Sequence, residues 1–489
     1  MEDRHIVSID LGTSKIAVCV AKINGNDVQI IYYKETPSEG IRYSSIFNVV
    51  HASDVVAKAI QEAEHELGLK ITQAVVGMPR YAIRQETRQG RVDRDPNTCI
   101  STQEVEELKE FANDLYPLDH PEKEEIYGAV AQSFSDGEAF QIIENDIIGM
   151  ASDVLEGNFK IFIGKKSDLN KIDLTMNRVN IAVNRKYFTA DSTAKAVLTE
   201  AEMDNGVALI DFGAGCTSLS IYCNNIMRHY ASIPFGGRDI TNDIKSECTI
   251  SERLAENIKL AYGACMPDRL QSLSEKTILI RSNTTDPNKQ LPVKYLSEII
   301  TARVEEIMLA MLFEIQRSGF ADKLRSGIVI TGGSAQLPNL GNLILDISGY
   351  NVRTGYPRHL FSFSGCNGVS ETSAATSIGM ILEAKEDPRL NCIYTEGGES
   401  DPSTGEPQET TDGTDHTHDI DPEAPACTAT EEETSEDGSL FDDDQTIIVE
   451  PEQKPQKPKS SPKPKRNNPT WTKVKEVLGD LFNDVNENR

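Results

Sequence analysis

The sequence predicts an α/β fold of two lobes closing on a cleft. A strand, an Asp-Gly turn and a return strand near the start are repeated about two hundred residues later, and apolar strands alternate with helical periodicity around both copies. The first copy reads Ile6-Val7-Ser8-Ile9-Asp10-Leu11-Gly12-Thr13-Ser14-Lys15 and returns through Ile16 to Val20. The second reads Val207-Ala208-Leu209-Ile210-Asp211-Phe212-Gly213-Ala214-Gly215-Cys216-Thr217-Ser218 and returns through Leu219 to Tyr222. Glycines in such turns let backbone N–H groups approach a phosphate closely, and hydroxyls donate to its oxygens. Asp10 and Asp211 can hold a hydrated Mg²⁺ that neutralises it. Two facing hairpins therefore predict Mg-nucleotide between the lobes.

Length and composition narrow the class. At 489 residues the chain is too long for one core, and 38% hydrophobic content is that of an ordinary globular protein. Nine cysteines without a C-x-x-C pair fit reduced thiols better than a disulfide or zinc framework. A secretory start and an eighteen-residue apolar run are both missing, so no membrane span is expected. The net charge of −28 is local: Glu396 to Gln453 holds twenty Asp and Glu and no Lys or Arg, which leaves −8 for the rest. A body without a basic surplus is a poor partner for nucleic acid, and none is expected.

Along the first lobe, Val56, Ala59, Ile60, Ala63 and Leu67 share one face of a predicted helix from Ser53 to Leu67, stopped by Gly68. A strand from Gln73 to Gly77 ends at Met78-Pro79. From Arg80 to about Ser167 the pattern reads as a small α+β insertion: a helix with Val105, Leu108, Ala112 and Leu115 in register, a hairpin signal at Ser135-Asp136-Gly137, and a strand from Phe159 to Gly164. A helix over roughly Ala190 to Glu200 leads into the second hairpin. After Pro234-Phe235-Gly236-Gly237 come a helix from Ser251 to Tyr262 and a long core helix through Leu296, Ile300, Val304, Ile307, Met311 and Ile315, ended by Gly319. Strand Gly327 to Ile330 runs into Thr331-Gly332-Gly333-Ser334, and Glu371 to Lys385 forms a last helix rich in alanine.

Beyond Asp387 the acidic stretch is nearly free of large apolar side chains and cannot offset the ordering cost of folding, so it is expected to be a disordered linker. Leu440-Phe441 and Ile447-Ile448-Val449 stand out in it, as a docking motif or a chance cluster. Lys454 to Arg466, which includes Lys463, Lys465 and Arg466, carries six basic residues among prolines and no acid. In the final segment, Thr470 to Arg489, the residues Trp471, Val474, Leu478, Leu481, Phe482 and Val485 fall on one helical face. Such a helix can dock on a protein surface. Its Trp and Phe, with the basic run just upstream, match an interfacial helix on an anionic membrane. One anchor should bind weakly, and lining up copies would raise avidity. As a flexible coil, the roughly 80-residue tether would span about 50 Å.

The ordered set Asp10-Leu11-Gly12-Thr13, Asp211-Phe212-Gly213-Ala214-Gly215, Thr331-Gly332-Gly333 and a small-residue closing helix resembles the actin, sugar-kinase and DnaK-type superfamily. Closer stretches, Ser8 to Lys15, Ala196-Val197-Leu198-Thr199-Glu200, Gly206 to Asp211, Ile233-Pro234-Phe235-Gly236-Gly237 and Ile330 to Ser334, resemble FtsA, the bacterial cell-division actin homologue. The resemblance implies an actin-like fold of two ribonuclease-H-like lobes binding ATP and Mg²⁺, with an inserted subdomain 1C. It divides the chain into 1–79 (1A), 80–167 (1C), 168–205 (1A), 206–238 (2A), 239–323 (2B), 324–372 (2A) and 373–387 (closing helix of 1A). The linker, 388–469, and the amphipathic helix, 470–489, follow.

By the same resemblance, Gly12, Thr13, Ser14 and Lys15 wrap the β- and γ-phosphates, and Gly213, Ala214, Gly215 and Thr217 form the second phosphate loop. Asp10 and Asp211 stand near the metal through water, and Gly237 lies near the nucleotide. Glu256 and Lys259 hold ribose and adenine, and Gly332, Gly333 and Ser334 form the adenosine turn. Cys216 departs from the family's usual hydroxyl residue, which puts one phosphate contact in doubt. No residue is assigned to orient a hydrolytic water, and at most slow ATP hydrolysis is expected. The implied role is a filament on the inner face of the cytoplasmic membrane at the division site, peripherally bound. It would tether the FtsZ ring through the FtsZ tail on 2B and recruit later division proteins through 1C. The alternatives are a small-molecule kinase of the superfamily, which has no use for a lipid-binding tail, and a pilus-assembly adaptor.

Overall fold

A computed structural model describes residues 4–115, 117–138, 141–280, 289–393 and 447–451. The predicted amphipathic helix at 470–489, Lys463, Lys465, Arg466 and the Leu440-Phe441 cluster lie outside the described residues.

Each lobe is built on a sheet with the same internal order. In the first, strands Lys15–Asn24 and Asp27–Pro37 fold back from Arg4–Leu11 as an antiparallel meander, while Gln73–Gly77 and then Ala182–Tyr187 add in parallel on its other side. In the second, Thr217–Cys223 and Ile226–Ile233 fold back from Val207–Phe212, and Ile328–Thr331 and Val352–Thr354 add in parallel. The central strands are apolar on both faces because both faces are covered. Ile6, Val7, Ile9, Ile16, Ala17 and Val18 in one sheet and Ala208, Ile210, Leu219 and Ile221 in the other are all 0–1% exposed. This duplicated, helix-covered arrangement is the α/β, two-lobed fold expected from the sequence.

Helix Val49–Leu67 covers the first sheet. Asn48 caps its start by accepting from the N–H groups of Val50 and His51, and Gly68 ends it at φ +65°. The side-chain cap at Asn48, five residues before Ser53, explains the earlier start. Helix Val293–Arg317 is the spine of the second lobe and buries Leu296, Ile300, Val304, Ile307 and Met311. The helix expected over Ala190 to Glu200 is two: Thr189–Val197 and Glu200–Asn205, broken at Leu198. Thr199 and Glu202 form a reciprocal capping box that starts the second piece. The last helix is Ala375–Ala384, preceded by a 3₁₀ turn at Thr372–Ala374. Ser362–Phe363, expected in the second lobe, pairs with Asp27–Pro37 of the first sheet, so the chain crosses between lobes before its closing helix.

Between the first sheet's strands, residues 84–165 form a separate three-stranded antiparallel sheet of Arg84–Asp93, Glu124–Ser135 and Val154–Lys165. It has its own core of Val105, Leu108, Phe134, Leu155 and Phe159. The Asp-Gly signal at 135–137 ends a strand without closing a tight hairpin: eighteen residues, including helix Glu144–Ile147, precede the partner strand. This module leans on the second lobe. Gln132 Nε2 donates to Met227 O at 2.9 Å, Arg228 Nη1 donates to Gln132 O at 3.0 Å, and Gln85 bonds His229 Nδ1 at 2.8 Å.

The first lobe's two helices at the hinge, Thr189–Val197 and Ala375–Ala384, pack closely, and Gly379 makes this possible. A Cβ there would fall 1.8 Å from the Ser192 carbonyl oxygen. Ser192 Oγ donates to Glu383 at 2.6 Å, and Tyr222 of the second lobe donates to Asp191 at 3.1 Å. Burial raises Glu383 to about 7 and Asp191 to about 6, partly opposed by Lys195. A carboxyl whose folded pKa is raised contributes stability below its unfolded pKa that is lost as pH rises through the folded one. The stability of the parent should therefore fall between about pH 4.5 and 7 from this pair. Glu383→Gln, which keeps the Ser192 bond, should gain about 1–3 kcal/mol at pH 8 and almost nothing at pH 4.5, read by chemical denaturation at both pH values.

Candidate functional site

The two Asp-Gly turns meet between the lobes. Register fixes their carboxylates: Asp10 pairs with Ala17 and Asp211 with Ser218, each one residue before its strand ends. The turns approach so closely that a Cβ on Gly215 would sit 2.6 Å from the Thr13 side chain. Glycine is required at Gly332 as well, where φ is +89° and a Cβ would lie 2.4 Å from Asp211 Oδ1. That turn follows strand Ile328–Thr331, and Thr372 Oγ1 donates to the Gly332 carbonyl at 2.8 Å, tying it to the start of the closing helix.

Together these turns border a cavity of about 960 Å³, at the upper end of the range of small-molecule sites. Of the residues expected at a nucleotide, Asp10, Gly12, Thr13, Ser14, Lys15, Asp211, Gly213, Ala214, Gly215, Gly237, Glu256, Lys259, Gly332, Gly333 and Ser334 line it. Thr217 is the correction: its side chain is fully buried and donates to the Phe235 carbonyl at 2.8 Å, off the cavity wall. It is the first residue of the return strand, where strand parity turns it inward. Cys216 takes the wall position instead, and its thiol is pushed up to about 12 by burial, so it presents a neutral, weak donor.

At the far wall Lys259 donates to Gly237 O at 2.9 Å and to Thr241 Oγ1 at 2.8 Å, and pairs with Glu256 at 2.7 Å. Ser334 Oγ donates to Gly213 O at 3.2 Å, and Gly237 N to the same carbonyl at 2.9 Å, which joins three segments over the second turn. Lys15 pairs with Glu35 and donates to Ser373 O. Although burial would raise it, Lys15 holds Glu35 below the usual carboxylate range.

Sequence reasoning missed Arg80. Leaving strand Gln73–Gly77 after Pro79, it places Nε 3.4 Å from Asp211 Oδ2 and Nη2 3.6 Å from Asp10 Oδ2, while Nη2 donates to Thr376 Oγ1 at 2.7 Å. Tyr230 donates to its carbonyl at 2.6 Å. Burial alone would lower its pKa, yet Asp211 and Asp10 raise it above the ordinary arginine value. The pair and its guanidinium carry a net −1. Among the described residues no group of three or more His, Cys, Asp or Glu gathers to hold a metal directly. The donor set therefore fits a cation held through water and through a ligand's own oxygens. Arg80→Met would leave two nearly buried carboxylates facing each other. It should cost about 3 kcal/mol of unfolding free energy, with Asp10→Asn recovering part of it in the double variant.

A family model described as "Cell division protein FtsA" matches residues 208–379. The chain is 31% identical to the cell division protein FtsA of Borreliella burgdorferi over 401 residues, covering 80% of this chain and 93% of the relative. It is 29% identical to that of Neisseria meningitidis serogroup B over 385 residues, covering 78% and 91%. Among solved structures, a PilM-PilN type IV pilus biogenesis complex shares the fold, with TM-score 0.53 and 14% identity over 77% of this chain and 98% of that one. With identity at this level over most of both sequences, this chain belongs to the FtsA family of actin-like cell-division proteins.

Proposed function

We propose that the chain binds ATP with Mg²⁺ between its lobes and works in cell division as a membrane-held filament. The observation that carries the nucleotide reading is the convergence of both hairpin turns and the 331–334 turn on one cavity. The Gly12 to Lys15 turn and the Gly213 to Gly215 turn would receive the phosphates from opposite sides. Lys259 and Glu256, on helix Glu252–Tyr262, would bracket the ribose and base beside Leu260, Leu337 and Pro338. Asp10 and Asp211 would hold Mg²⁺ through water, and the ion would supply charge neutralisation between them and the phosphates.

The same reading assigns 80–167 as subdomain 1C, for later division proteins, and 239–323 as 2B, for the FtsZ tail. Copies of the chain would assemble, and the segment at Trp471 with Lys463, Lys465 and Arg466 would bind the inner membrane face. Among the described residues no helix is long and apolar enough to cross a membrane. Peripheral attachment would therefore fall to the amphipathic segment. The kinase reading has no support in the family, and the likeness to the pilus protein is one of fold.

Two measurements check this. Titrated with a fluorescent ATP analogue, Lys259→Met should bind about tenfold more weakly than the parent while its thermal midpoint in the absence of nucleotide moves by a few degrees at most. Trp471 is the sole tryptophan, so parent emission should shift to the blue on anionic vesicles. An unchanged spectrum would remove the membrane reading.

A further inference from the structure

The described residues include five from the acidic stretch, Ile447–Pro451, and they are not isolated. They form the third strand of a sheet with Lys276–Ile280 and Lys289–Pro292. Pairing is antiparallel and continuous: Lys276 with Pro451, Thr277 with Glu450, Ile278 with Val449, Leu279 with Ile448 and Ile280 with Ile447. Without this strand, Lys276–Ile280 would pair with Lys289–Pro292 alone and turn its other edge to solvent. A two-stranded ribbon is marginal by itself, and a free edge is a row of unpaired N–H and C=O groups. The ribbon is anchored from below, since Ile278, Ile280 and Leu291 are 0–4% exposed and pack in the core cluster that holds helix Val293–Arg317.

The sequence of the added strand suits the edge. Between Glu396 and Gln453, Ile447-Ile448-Val449 is the sole run of three β-branched apolar residues, in a stretch otherwise acidic and rich in Thr, Pro and Gly. Pro451 cannot donate to a ladder and stands where the pairing stops. The edge thus has a local, extended, β-branched occupant in the same chain, joined to the body through residues 394–446, which keeps its effective concentration high.

We propose that the outer edge of Lys276–Ile280 is a strand-addition site filled reversibly by the chain's own Ile447–Pro451, and that this docking sets the length of the tether to the terminal segment. Measured from Ile393, the last described residue of the body before this strand, Thr470 lies 77 residues away and can reach at most about 270 Å. Measured from Pro451 it lies 19 residues away and can reach at most about 65 Å. Docking therefore shortens the reach about fourfold and moves the point of departure to the face of residues 276–280. An extended peptide from a partner that took the same edge would release the long form. The tether consequence rests on the membrane reading above; the docking does not.

The test is hydrogen exchange of the amides of Lys276–Ile280 in the full chain in dilute solution without vesicles. The parent and Ile448→Val should exchange at least about tenfold more slowly than Ile448→Pro, which removes one N–H and the strand geometry. Equal exchange in the parent and Ile448→Pro would overturn the docking. Protection that grows with protein concentration would overturn docking within one chain and assign the strand to a neighbouring copy. On a supported anionic bilayer, neutron reflectometry should place the body farther from the lipid in Ile448→Pro than in the parent. Equal heights despite a difference in exchange would overturn the length control. Failure of both proteins to bind lipid would strike the membrane reading and leave the exchange result standing.

Discussion

Two buried aspartates must share one guanidinium at the point where the lobes meet, and much of the molecule is arranged to permit it. Asp10 and Asp211 come from the two copies of the hairpin, and each is 8% exposed. Like charges so placed need a counter-charge that is itself held in position. Arg80 supplies it from a third element, with Thr376 of the closing helix on one side and the Tyr230 hydroxyl on its backbone. The clamp therefore touches both sheets, the hinge and the root of the 84–165 module. Because that module also hydrogen-bonds the strand Ile226–Ile233 through Gln85 and Gln132, a shift of one lobe against the other would be felt in it. The contact chain gives a physical route for such coupling, and its two ends are the cleft and the three-stranded sheet of residues 84–165.

What the sequence disclosed followed from how local each signal was. Both hairpins were legible because an apolar strand, Asp-Gly and a return strand form one contiguous pattern. Helix Val293–Arg317 was legible because twenty-five residues keep one period. Boundaries were lost where a side chain outside the apolar period decided them. Asn48 starts one helix early, and Thr199 with Glu202 starts a new one, although the Thr-x-x-Glu spacing was there to be seen. Arg80 carried no signal: a single arginine after Met-Pro belongs to no period, and its partners are 70 and 131 residues away in opposite directions. Thr217 was misplaced for a related reason, since motif position does not say on which side of a strand end the hydroxyl emerges. Ile447-Ile448-Val449 could be noticed in its acidic surroundings, but its partner edge at 276–280 is not contiguous with it.

Charge accounting in the cleft shows why an anion there would need help. Four of the five cations on the wall are already engaged: Lys15 by Glu35, Lys259 by Glu256, Arg238 by Glu252, and Arg80 by the two aspartates, while the fifth, Arg253, is exposed. A triphosphate carrying several negative charges would face Asp10 and Asp211 across a few ångströms with a guanidinium already committed to them. At that separation, away from bulk water, each uncompensated pair of like charges costs several kcal/mol. Backbone N–H groups of the glycine turns offset part of this, as dipoles do at phosphate loops. On the reading proposed above, a divalent cation would offset the rest, and without it Arg80 is the basic group nearest the two carboxylates. Affinity in this cleft should depend on the cation more steeply than in a site whose basic groups all stand free, because here four of the five basic side chains on the wall already face carboxylates, and the one between the two aspartates also joins the lobes.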